Sequence, residues 1–226
     1  MNTKHALFGV ALLAATAAAP AFAQRSTAIT ASPRYSLLGG TTVPNGVDVV
    51  SAEVGWPSAS FGFTHGTSPT TDIGFKFDLL WGFEYATAYS QFGLGFRVPL
   101  RAIVLRRDRL TAVAHIDPGL KVYTTTPATF GFQWPAGLTL GYSATAEVNV
   151  AFGLELPMTL VVTGPTGPNQ SAVRLYLGPL FGPAVEYRVD RQLTVGLNTR
   201  FGPIFNTSNG TSAFGMIMQA MLAWRL

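Results

Sequence analysis

One alternation limits this chain more than any other feature of its sequence. Residues 72–85 read DIGFKFDLLWGFEY, and taking every second residue separates them completely. Asp72, Gly74, Lys76, Asp78, Leu80, Gly82 and Glu84 form one set; Ile73, Phe75, Phe77, Leu79, Trp81, Phe83 and Tyr85 form the other. Side chains of a β-strand point alternately to its two faces, so every charge lies on one face and every residue of the other is apolar. A helix would spread both sets around its circumference, so the stretch reads as one long strand.

The pattern recurs. Segments 92–104, 110–123, 129–143, 147–162, 172–188, 192–204 and 213–226 each alternate apolar residues with Gly, polar or charged ones. Residues 34–41 read as a weak first strand, followed by a turn over 43–46. Residues 47–65 read as one extended strand with a bulge at Trp56-Pro57, because Trp134-Pro135 recurs in similar surroundings. The total is about ten strands, with eight to twelve compatible with the pattern, and many exceed the ~5–6 residues of a soluble strand.

Alternation alone fits two all-β folds: a soluble sandwich with one wet face, or a closed barrel in lipid. Composition separates them. Charged residues are 12% of the chain against 48% hydrophobic, too few charges to cover two wet sheet faces. From residue 72 onward, no Asp, Glu, Lys or Arg falls on the apolar face of a strand. Aromatics gather toward strand ends, where headgroup-level rings would lie: Trp81, Tyr85, Trp134, Tyr142, Tyr187 and Trp224. A sheet in hydrocarbon has to close, since an open edge leaves N–H and C=O groups without partners. The expectation is therefore a closed antiparallel transmembrane β-barrel over residues 34–226. Ahead of it, residues 1–23 have Lys4, the apolar stretch Ala6–Ala19 and Ala21-Phe22-Ala23, the pattern of a cleaved secretory signal. Residues 24–33 are small, polar and aperiodic and read as a flexible lead-in.

With its export signal, its dyad repeats and its last strand FGMIMQAMLAWRL, the chain resembles the small Gram-negative outer-membrane β-barrels. The resemblance is architectural and points to no single family within that class. It implies an outer-membrane location after Sec-type export, outer-membrane lipid as surroundings, and both termini in the periplasm. It also implies recognition by the barrel assembly machinery through strand 213–226, whose last residue is Leu226 where such strands usually carry an aromatic. A monomer is the expected state.

On this reading the charged face lines the lumen. Asp78, Arg97 and Asp117 are expected to pair as a belt, with Lys76, Arg101, His115 and Glu155 sharing the same space. An unpaired charge in a narrow interior is costly, so mutual pairing is the expected arrangement. The function expected is a narrow channel for small solutes or a structural barrel with a salt-bridged lumen. Two other classes compete with it: an outer-membrane enzyme acting on lipid or peptide at the rim, and a secreted soluble β-sandwich binding protein. No catalytic site is expected, because His115 and Asp117 have no evident third partner. There is no cysteine, no H-x-x-x-H and no Asp-rich loop, so neither metal nor cofactor is expected. The net charge of +4 comes without a basic stripe bearing aromatics, so nucleic acid is not expected as a partner.

Overall fold

The computed structural model describes residues 35–83, 86–125, 128–164 and 173–226. The signal segment 1–23, the lead-in 24–33 and Tyr85 lie outside the described residues. The strands are β1 (Asp48–Trp56), β2 (Ser58–Gly66), β3 (Thr71–Phe83), β4 (Ala86–Arg97), β5 (Leu100–Arg107), β6 (Leu110–Ile116) and β7 (Gly119–Tyr123). They continue as β8 (Thr129–Gln133), β9 (Ala136–Ser143), β10 (Val148–Leu156), β11 (Met158–Thr163), β12 (Val173–Leu177), β13 (Leu180–Arg188), β14 (Leu193–Asn206) and β15 (Thr211–Arg225). Neighbours pair antiparallel, and the ladder closes on itself where β15 meets β1.

The described residues form fifteen strands against the ten expected: the strand expected over 34–41 is absent, and proline breaks divide six of the others. Pro99, Pro118, Pro135, Pro157 and Pro179 each fall in a gap, between β4 and β5, β6 and β7, β8 and β9, β10 and β11, and β12 and β13. Proline has no N–H to give the ladder, so the strand lapses there. Its carbonyl still accepts. Gly74 donates to the Pro99 carbonyl at 2.8 Å, Val98 to Pro118 at 2.8 Å and Asp117 to Pro135 at 2.9 Å. Adjacent traces are thus interrupted at one level, and the wall continues through it as an arc of prolines, while β3, β14 and β15 run unbroken.

Trp56-Pro57 is a turn and not the expected bulge. β1 and β2 form a hairpin whose last pair is Val54 with Ala59, and the Trp56–Pro57 peptide is cis. The hairpin covers only part of the wall's height. Beyond it β15 meets β4 directly, Gly215 opposite Ala86.

The two faces are those of a soluble protein turned inside out. Leu120 is 59% exposed on the outer wall while its neighbour Lys121 is 5% exposed inside. Asp72, Asp78, Glu53, Glu186 and Arg200 are likewise buried in the lumen, and Phe61, Phe75, Phe96, Phe132 and Phe152 stand out from the wall. Among the described residues, Phe83 departs from its expected face. Register shifts on either side of Gly82 turn Phe83 inward, where its ring centroid lies 5.0 Å from that of Tyr123.

A second departure matters more. Residues 35–47 do not form the weak first strand expected over 34–41. Gly39 and Gly46 adopt positive φ (115° and 72°), open to glycine and disfavoured for side-chain-bearing residues. The segment folds into the lumen at the end where β1 begins and β15 ends, where Leu226 N–H donates to the Asp48 carbonyl at 2.9 Å.

Candidate functional site

The lumen is built in four layers, starting from the terminal end. The first is the plug, residues 35–43. Tyr35 hydroxyl donates to the Gln192 carbonyl at 3.1 Å, and burial pushes that hydroxyl's pKa up. Glu186 accepts from the Ser36 hydroxyl and from the N–H groups of Leu37 and Leu38, the latter two at 2.8 and 3.0 Å. Ser36 Oγ in turn accepts from Gly39 and Gly40 N–H at 3.1 and 2.6 Å. At the far end of the plug, Val43 N–H donates to Asp72 Oδ2 at 2.7 Å. At Gly39 glycine is required by space as well as dihedral angle, because the Thr139 side chain lies where a Cβ would stand; a Cβ on Gly40 would press on the Asn149 amide at 3.1 Å.

Arg101 joins plug to wall. Its Nε and Nη2 bind Asp72 at 2.8 and 2.5 Å, and its Nη1 donates to the carbonyls of Ser36 and Leu37 at 2.9 and 3.0 Å. Arg101 belongs to this clamp and does not join the belt of Asp78. The parallel two-bond grip on Asp72 is the strong form of a guanidinium–carboxylate pair.

The charged layer comes next. Arg97 lies between Asp78 and Asp117, with Nε and Nη2 each 2.7 Å from Asp78 and Nη1 3.5 Å from Asp117. Ser60 adds a hydroxyl to Asp78 at 2.5 Å. Lys76 Nζ turns to Glu53 at 2.6 Å, and His115 Nε2 lies 3.0 Å from Glu155. Arg200 extends over Gly153 and donates to the Gly182 carbonyl at 3.0 Å and Asn198 Oδ1 at 2.6 Å. A cavity of about 130 Å³ lies among these groups. It is lined in part by Gln133, whose buried amide has no partner within the described protein.

The third layer is an apolar septum. Tyr123 and Leu180 are fully buried, Ile204 and Ile217 nearly so, and Tyr176 packs on the last three. Phe83 closes against Tyr123 and meets the edge of Tyr176 at 5.5 Å. Above the septum opens the fourth layer, a cup of about 820 Å³ at the loop end of the barrel.

Of the aromatics expected at the wall's ends, Tyr142, Tyr187 and Trp224 share the terminal end. Tyr142 faces Leu110, Tyr187 faces Val148 and Trp224 faces Leu193, all beside the turns there. Trp81 stands in the other half, its backbone N–H donating to the Pro57 carbonyl at 3.0 Å. Trp134 is not at an end: it occupies the proline break between β8 and β9, its ring 5.2 Å from that of Phe132. Alternation gives a residue's face and says nothing of its height, which depends on the register of distant strands.

Glu53 and the whole plug were missed by sequence reasoning. Glu53 lies before residue 72, in a stretch read as one strand through Pro57, so its side was ambiguous. The plug carried a signal in Gly39-Gly40 and Pro44-Asn45-Gly46, a turn-rich composition that suits irregular chain better than strand.

Together the fold and lumen define a closed antiparallel barrel with an apolar outer wall, a charged interior and an internal plug. No family model and no curated protein sequence matches the chain. Among solved structures it is similar to the outer membrane protease OmpT from Escherichia coli, at 10% identity over 80% of this chain and 93% of that one, with a TM-score of 0.38. A likeness that low carries neither fold nor activity across.

Proposed function

We propose that this chain is an integral outer-membrane barrel whose lumen is sealed, a structural envelope protein and not an open pore. One observation carries the reading. The lumen is crossed twice by fully buried groups, Tyr123 and Leu180 in the septum and Ser36 and Val43 in the plug, with a paired charge layer between. Membrane insertion follows from the wall: its apolar residues face outward, and closure leaves no ladder edge for lipid to meet. Outer-membrane lipid is then its solvent, both termini are periplasmic, and β15, which closes the ring against β1, is the segment offered to the assembly machinery. A single chain completes the ring, which favours a monomer. Catalysis at the rim draws no support from His115, which turns to Glu155 inside the lumen.

Heat-dependent migration on a denaturing gel separates a membrane barrel from a soluble sandwich; identical migration with and without boiling would refute insertion. Incorporated into planar bilayers, the unmodified protein gives no conductance steps. Stable conductance at low voltage would overturn the sealed reading and restore the channel.

A further inference from the structure

The septum makes the space above it a blind cup, and a cup retains what a pore would pass. Its volume of about 820 Å³ falls within the ~300–1,000 Å³ typical of small-ligand pockets. Its lining is unusual in charge. Among the described residues that form it there is one charged side chain, Arg174, and no Asp, Glu, Lys or His. The polar groups are neutral: hydroxyls of Ser90, Thr129, Thr163 and Thr211, and amides of Gln91 and Asn206. Two rings, Phe83 and Tyr176, form part of its base.

We propose that this cup binds a neutral saccharide of one or two rings. Three other ligand classes fit worse. Among the described residues a polyanion would meet a single cation, and a cation would meet no carboxylate. A wholly apolar ligand would strip water from hydroxyls and amides without returning hydrogen bonds, which is costly for each buried group. A sugar hydroxyl both donates and accepts, as Ser and Thr hydroxyls do, and side-chain amides supply one donor and one acceptor group each. The C–H face of a sugar ring suits the electron-rich face of an aromatic base. Several lining groups are already oriented: Thr129 donates to Thr163 at 3.3 Å, and Asn206 Oδ1 accepts from Ser208 N–H at 3.1 Å, which fixes the amide's direction. Lining groups already held by hydrogen bonds lose less freedom on binding than free ones would. The proposal rests on the sealed-barrel reading only for the cup's blind floor, and its ligand is named by chemistry alone. It applies equally to a free sugar and to the terminal ring of a surface glycan.

The test is calorimetric titration of the full-length barrel, folded in a zwitterionic detergent without a sugar headgroup, with maltose, cellobiose and glucose 6-phosphate. Expected are saturable binding of at least one disaccharide, weaker binding of the phosphate ester, and at least ~10-fold loss in both Thr163→Val and Gln91→Ala, about 1.4 kcal/mol by the affinity relation. Tyr176→Ala is a poor choice by itself, since Tyr176 also packs the septum; the two polar variants touch only the rim. Heat-dependent migration of each variant confirms that the barrel has folded. A disaccharide whose binding is blocked by a longer glycan of the same sugar indicates a surface-glycan terminus, and one bound only as the free sugar indicates a solute. Absence of heat with both disaccharides up to ~10 mM, undiminished binding in both variants, or preference for the phosphate ester would each overturn the proposal. These outcomes are separate from bilayer conductance, so failure here leaves the sealed-barrel reading standing.

Discussion

Arg101→Met should release the plug. Arg101 supplies two hydrogen bonds to plug carbonyls, those of Ser36 and Leu37, and two more to Asp72. A hydrogen bond to a charged group is worth about 1.5–3 kcal/mol, so losing the two plug bonds costs about 3–6 kcal/mol of docking. Asp72 keeps the Val43 N–H bond, but it is left a buried carboxylate without its guanidinium, and undocking rehydrates it, so nothing offsets the loss. Even the lower figure gives roughly a hundredfold rise in the undocked fraction. The chain has no cysteine, so Val43→Cys provides a clean reporter at a fully buried plug position. Its labelling by a membrane-impermeant maleimide is slow when the plug is docked and scales with the undocked fraction. In the Arg101→Met background the rate should rise about a hundredfold, and in Arg101→Lys less, because an ammonium supplies charge without the fork. Heat-dependent migration confirms that both variants keep the barrel. Equal labelling rates in folded Val43→Cys with and without the Arg101→Met substitution would refute the clamp.

Two further outcomes test the wall and the charge layer. Phe96 is 46% exposed beside the proline breaks, so Phe96→Arg on a lipid-facing wall should cost about 2–4 kcal/mol in urea unfolding from lipid vesicles. A change within about 0.5 kcal/mol, usual for an exposed site in a soluble protein, would argue that the wall faces water. Arg97→Met leaves the buried Asp78 carboxylate with the Ser60 hydroxyl and without its guanidinium, a loss of about 3–5 kcal/mol. Adding Asp78→Leu to it should restore most of that stability, and a double variant no more stable than the single would show that the pair is not the origin of the cost.

Much of the fold is legible in single residues of the sequence. Ile73, Phe75 and Phe77 on one face, against Asp72, Lys76 and Asp78 on the other, already imply a sheet with one greasy and one charged side. That Phe77 faces Phe96 and Lys76 faces Arg97 does not follow from the position of the β3–β4 turn alone: Phe83 pairs with Ala86 beside it, and the register shifts around Gly82 then displace the ladder. The Arg97 grouping could be proposed because its members lie on adjacent hairpins, about twenty residues apart. Arg101 could not be assigned in the same way. Its carboxylate, Asp72, is on the neighbouring strand, but its other partners belong to a plug more than sixty residues earlier. The inward turn of Phe83 is a similar case: it depends on two register shifts around Gly82, and alternation assumes there are none.

By itself, the sequence determined which side of each strand is apolar, because that is a local property with a period of two residues. It also determined that the sheet closes, given how few charges there are to cover a second wet face. Only the tertiary structure decided what fills the lumen. Closing the ring brings β1 against β15, inserts residues 35–43 between walls they never adjoin in sequence, and stacks Phe83, Tyr123 and Tyr176 into a septum. The physical reason is height: the vertical position of a side chain in a barrel is the sum of every register between strands, and no local pattern records that sum.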